Sequence, residues 1–188
     1  DGRARFDTMN AFPKQMANLG ISADESEAAI NKLSDRLKGL PTSLDAGAMG
    51  ITRFVSKNGD IDKSTDMFLA LNNAVIAGAA PLHLQNSALE QLTQAYSKGS
   101  MDAMEWRTLQ MAMPGQLNQV ASAMGMTSEA LGEGLRDGSI SMDDFMGKIM
   151  ELNETGTGEF ASFEEQARNS SGGLQTMMAN VGNAISRG

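Results

Sequence analysis

A few groups of side chains in this sequence are of types that could do chemistry. Asp60, Asp62, Ser64 and Asp66 follow the D-x-D-x-S-x-D opening of a calcium-binding loop. An EF-hand loop also needs glycine at its sixth position and a bidentate glutamate at its twelfth. Thr65 and Leu71 stand there, so the acids read as a polar helix start, where the helix dipole favours negative charge. His83 is the only histidine, and a nucleophilic triad would hang on it alone. It follows Pro81 with no flanking motif and reads as a surface or half-buried residue. Paired carboxylates, the equipment of glycoside hydrolysis, occur at Asp143 and Asp144, at Glu164 and Glu165, and among Asp24, Glu25 and Glu27. Each group falls in the first turn of a predicted helix, where capping accounts for it. Gly132–Gly138 and Gly172–Gly173 match neither a dinucleotide fingerprint nor a P-loop. Trp106 beside Arg107 reads as a core anchor. No residue is assigned a catalytic, cofactor-binding or metal-binding role, and no cofactor is expected.

Composition narrows the classes further. The 188 residues are 41% hydrophobic and 20% charged, too apolar for a disordered chain. Aromatics are only 5%, so the 15 methionines, with leucine, isoleucine and alanine, must fill the core. Net charge is −8 and the 15 basic residues are scattered, which argues against a general nucleic-acid binder. There is no cysteine, hence no disulfide framework, thiolate nucleophile or zinc–cysteine site. The longest apolar-leaning stretch, Ala74–Leu84, is broken by Gly78, Pro81 and His83 and is too short to span a bilayer. No signal peptide is visible. Asp1 opens the chain and Gly188 closes it inside a helical pattern, so we expect a piece of a longer protein.

Helical periodicity places the remaining residues, and no run of alternating β-branched residues suggests a strand. Arg5–Leu19 carries Phe6, Met9, Phe12, Met16 and Leu19, with Pro13 expected to kink or split it. Ser22 and Glu25 form a capping box before a helix burying Ile30, Leu33 and Leu37. Thr42 and Asp45 suggest a second box, before a stripe of Leu44, Ala48, Ile51 and Val55. Gly47 and Gly50 within it read as close helix packing. A helix over Asp62–Ala77 turns Met67, Phe68, Leu71, Ala74 and Val75 inward, and Gly78 stops it. The next runs from Pro81 to Lys98 with Leu82, Leu89, Leu92, Ala95 and Tyr96 as core residues. Ser100 is read as the cap of a helix with Met101, Met104, Trp106 and Leu109 inward, interrupted at Met113–Pro114. Shorter helices follow around Leu117–Met124, after Thr127 and after Ser141; Asn153–Glu159 reads as a loop, and Ser162 with Glu165 as a last capping box. Asn169–Gly173 reads as a boundary before a helix over Leu174–Ile185. Leu92, Gly99, Ser100 and Trp106 are echoed 39 residues on by Leu131, Gly138, Ser139 and Phe145.

Certain blocks, taken in order, are distinctive. They are L-P-T-S-L-D at Leu40–Asp45, G-D-I-D-K-S at Gly59–Ser64 and A-L-N-N-A-V at Ala70–Val75, followed by Q-L-T-Q-A-Y-S-K-G at Gln91–Gly99. M-A-M-P-G-Q-L at Met111–Leu117, G-S-I-S-M-D-D-F at Gly138–Phe145 and F-A-S-F-E-E-Q-A-R-N-S at Phe160–Ser170 complete the series. With this order and spacing, Leu40–Arg168 resembles the tape-measure domain of long-tailed bacteriophages and prophages. The resemblance implies a structural, non-enzymatic segment of a tail length-determining protein, around which tail tube subunits polymerise. It implies partners among the tail tube protein, tail assembly chaperones and tail-tip or baseplate proteins, and a place in the virion after assembly in the bacterial host cytoplasm. Self-association of the parent protein is a further expectation. The expected fold is all-α, a compact multi-helix bundle of short helices with a helical N-terminal arm and a C-terminal helix. The expected organisation is a helical arm over 1–39, the tape-measure domain over 40–170 and the start of a following helical segment over 171–188. Two other classes compete. A cell-wall lytic domain would need a deep groove near Glu90, Glu105 and Glu133, and a generic helical interaction module would show an exposed Met/Leu patch.

Overall fold

Most helices in this chain start where a short polar side chain accepts a hydrogen bond from a backbone N–H three residues on. The computed structural model describes residues 2–171, which form α1 (Gly2–Ala17), α2 (Ala23–Arg36), α3 (Leu44–Asn58), α4 (Ile61–Ala77) and α5 (Leu82–Lys98). They continue through α6 (Ala103–Ala112), α7 (Pro114–Ala123), α8 (Ser128–Asp137), α9 (Met142–Thr155) and α10 (163–171). No strand occurs among the described residues, and the all-α bundle expected from periodicity is what forms. The helix expected over Leu174–Ile185 lies outside them. None of the described helices is long and apolar enough to cross a membrane.

α4 is the spine. Of its 17 residues 13 are buried, including Met67, Phe68, Leu71, Val75 and Ile76, as befits a helix that is apolar on nearly every side. α2, α3, α5, α7 and α9 all pack against it. Close approach relies on the small residues of α3. A Cβ on Gly50 would sit 2.6 Å from the Phe68 ring, and one on Gly47 would sit 2.9 Å from a Leu33 methyl. Phe54 meets Tyr96 edge to face, their centroids 5.2 Å apart. α1 packs on α2 and α3 through Phe12 and Met16, while its first ten residues bury nothing completely.

Several boundaries and facings depart from the periodicity, each for a visible reason. α1 runs unbroken through Pro13, because Phe12 and Met16 on either side are anchored in the core. The cap of α3 is Ser43, not Thr42, since the Thr42 hydroxyl donates instead to Asn72 Oδ1 at 2.6 Å. The cap of α6 is Asp102, not Ser100. Gly99 turns at φ +89°, and Met101 must first be buried with its N–H donating to the Leu135 carbonyl at 3.2 Å. That shift fixes Glu105, Trp106 and Leu109 inward and leaves Met104 74% exposed. Leu82 is 52% exposed, because α5 buries side chains fully only from Ala88 onward, and Phe6 and Leu19 also face outward. α9 continues through Asn153 to Thr155, where the expected loop would have begun. Leu152 is buried and the Asn153 carboxamide oxygen accepts from Asn73 at 2.9 Å.

The 39-residue echo is real in geometry. Gly99 and Gly138 both cap helices at left-handed angles, and Asp102 and Ser141 then cap α6 and α9. Trp106 and Phe145 follow as buried aromatics, and the bond from Met101 to Leu135 ties the first turn to the end of the helix preceding the second.

Candidate functional site

Several of the side chains singled out for chemistry are used by the fold. Asp60 accepts from the Lys63 N–H at 3.0 Å as the cap of α4, and the Ser64 hydroxyl is buried, donating to Asn58 Oδ1 at 3.0 Å. Asp66 faces α2 instead, pairing with Lys32 at 2.7 Å. The would-be calcium ligands therefore diverge, and no group of three or more metal-ligating side chains converges among the described residues. His83 is exposed in the first turn of α5.

The paired carboxylates are split between tasks. Ser141 accepts from the Asp144 N–H at 2.9 Å, while Asp143 reaches Lys63 on α4 at 3.5 Å. Ser162 likewise accepts from the Glu165 N–H at 3.1 Å, and Glu164 lies 3.8 Å from Arg36 on α2. Asp24, Glu25 and Glu27 are exposed near the start of α2; the Ser22 hydroxyl accepts from the Glu25 N–H and also lies 3.0 Å from its carboxylate. The Gly132–Gly138 stretch is packing rather than a phosphate cradle. Gly132 lies flat against the Trp106 indole, Gly134 against Ile140, and Gly138 is the left-handed cap of α8.

The most chemistry-like group surrounds Glu105, one of the acids named for a lytic groove. Glu105 is only 3% exposed, accepts from the Asp102 N–H at 2.9 Å and pairs with Lys98 at 2.8 Å. Its hydrogen bond to Lys98 holds that ammonium above the usual lysine range against the pull of desolvation. Asp102 is held below the usual carboxylate range, first by the Glu105 N–H and then by Lys98. Asp137 is held low by the hydroxyl and N–H of Ser139. This is a closed capping box with a cation across its mouth. Of the acids named for a lytic groove, Glu90 and Glu133 are exposed on different helices.

The surface carries shallow hollows. One of about 640 Å³ lies between α7, α9 and the loop after α9, bordered by Gln119, Lys148, Glu151, Leu152 and the half-exposed Phe160. A smaller polar groove of about 160 Å³ runs between α2, α4, α9 and α10, lined by Lys32, Arg36, Asp66, Asn153, Glu164 and Arg168. Met104 and Met111 stand on one exposed face of α6, a full two turns apart.

α10 is fastened by two side chains whose partners are far away in sequence. The Arg168 guanidinium donates to the Arg36 carbonyl at 2.8 Å and to the Lys38 carbonyl, across the C-terminus of α2. Gln166 joins α10 to α7, accepting from Gln116 at 3.0 Å and donating to Gln119 at 2.9 Å. No local sequence signal foretells either contact.

Comparison with known proteins gives one result. The family model described as tape measure protein matches residues 2–187, taking in α1 and α2 as well as the stretch whose motifs carry the resemblance. Neither a curated protein nor a solved structure matches the chain. With nearly its whole length matched and its all-α packing in view, the chain belongs to the tape measure protein family.

Proposed function

We propose that this chain is a structural segment of a phage or prophage tail tape measure protein, templating tail tube assembly and setting tail length. The observation that carries this reading is the family match over residues 2–187. The local chemistry supports it. Acids grouped in sequence sit in serine-capped first turns or tie one helix to another, and the fold uses its polar side chains to hold helices together. In this reading the chain works by shape and attachment within a longer protein. Its partners are the tail tube protein, tail assembly chaperones and tail-tip or baseplate proteins, and its destination is the interior of the virion tail.

The deciding experiment changes the length of the parent gene outside this block. In-frame removal of an extended helical segment should shorten the tail in proportion, measured by electron microscopy of purified particles. Tails of unchanged length would refute the templating role. A peptidoglycan zymogram of the purified chain tests the lytic alternative, with no clearing expected.

A further inference from the structure

The two ends of the described chain come together on one small feature, the C-terminus of α2. At the start, Arg5 of α1 donates from its guanidinium to the Ser34 hydroxyl, in the last turn of α2. At the finish, Arg168 of α10 caps the Arg36 and Lys38 carbonyls, and Glu164 approaches Arg36. Ser170 and Ser171 then border the same small hollow as Gly39, Leu40 and Pro41, the residues that leave α2. Three independent sets of contacts therefore place both ends within the reach of a few side chains of residues 34–41. Summing those reaches with a helical rise of 1.5 Å per residue puts Gly2 and Asn169 at most about 40 Å apart. The same residues drawn out as one continuous helix would span about 255 Å.

We infer that this block is close to length-neutral within a tape measure protein: both ends of the described residues meet the C-terminus of α2, so the block adds bulk and contacts but little to the ruler. This rests on the templating role proposed above. A tape measure protein that carries the block would then set a tail shorter than its residue count suggests. The deficit would be most of the helical length that these residues would otherwise supply. α10 is the element that enforces this. Phe163 and Ala167 are buried, and the Arg168 fork ties α10 to the C-terminus of α2, which Arg5 of α1 also meets.

Two measurements test this together. The chain has no cysteine, so Gly2→Cys with Asn169→Cys, both at exposed positions, allows clean dye labelling of the 188-residue chain. Energy transfer should report a separation below about 50 Å, allowing for the dye linkers and the end-to-end limit set by helix geometry; a larger separation overturns the inference. In a phage whose tape measure protein carries the block, a tandem second copy should leave tail length unchanged. Inserting the same number of residues as uninterrupted helix should lengthen the tail by roughly 250 Å. If the helical insertion changes nothing, the templating role itself has failed. If both insertions lengthen the tail equally, templating stands and length-neutrality falls. The labelling result decides the geometry even where the tandem particle does not assemble.

Discussion

Residues 2–98 and residues 99–171 are built in different ways. The first part has five helices of 14 to 17 residues, ten basic and ten acidic side chains, and no net charge. The second has α6, α7 and α8 at ten residues each, then α9 and α10, with four basic and twelve acidic side chains. The whole net charge of −8 thus sits in the second part. Its origin is structural. Short helices give more helix starts per residue, and each start attracts acids through its free N–H groups and dipole. Asp102, Glu105, Glu129, Asp143, Asp144, Glu164 and Glu165 all occupy such positions. In the first part, Lys14, Arg36, Lys57 and Lys98 balance the ledger at helix ends, while the second has only Arg136 in that role among α6 to α9. An acidic surface here reports helix length before it reports any partner.

The seam between the parts is the place to break this comparison. Gly78 ends α4 against the joint of α6 and α7, where an added Cβ would lie 2.1 Å from the Ala112 carbonyl oxygen and 2.9 Å from Met113 Cα. Backbone cannot yield as a side chain can, so Gly78→Ala should cost about 3 kcal/mol in urea unfolding. A loss below 1 kcal/mol would mean that the seam is soft. Gly132→Ala drives a methyl to 2.5 Å from the Trp106 ring and should cost about 2 kcal/mol. Its effect should fall chiefly on the second part, read as earlier hydrogen exchange in α6 and α8 than in α2.

Glu105→Gln tests the buried box at about 1–2 kcal/mol near neutral pH. Lys98 is held above the ordinary value of 10.5 in the fold, so its contribution is complete below that pH and lost as pH rises past it. The substitution should flatten the alkaline limb of the stability profile. Asp102 is held below its ordinary 3.8, so its contribution is present above that pH and fades as pH falls below it. Asp102→Asn, which still caps, should flatten part of the acid limb; an unchanged slope would contradict the assignment. The smallest effect has the opposite sign. Ala79, just after α4, holds φ at +56°, and Ala79→Gly should raise stability by about 0.5–1 kcal/mol. Any loss would show that the Ala79 methyl is needed for packing.

Capping was the most legible feature of the sequence. Ser22, Thr127 and Ser141 cap where their spacing from the following apolar stripe says they should, and Gly47 and Gly50 mark close packing. What local reading missed was decided by partners outside the window. Asn72 takes the Thr42 hydroxyl from 30 residues away, and Leu135 engages Met101 from 34. Met104 faces water because the cap of α6 moved two residues and rotated the stripe. The ties made by Arg168 and Gln166 join elements 47 to 132 residues apart, and neither residue type announces such a role. Family membership was readable from ordered motifs, since those survive uncertainty in any one helix boundary.

The burial of α4 on nearly every side has a consequence for synthesis. This helix leaves the ribosome with α2 and α3 already made, but α9, one of the helices that covers it, follows only at Met142–Thr155. At about 5–20 residues per second, completing α9 takes roughly 4–16 s more. Throughout that interval the nascent polypeptide displays a greasy rod to the cytosol, and its risk of aggregation is greatest then.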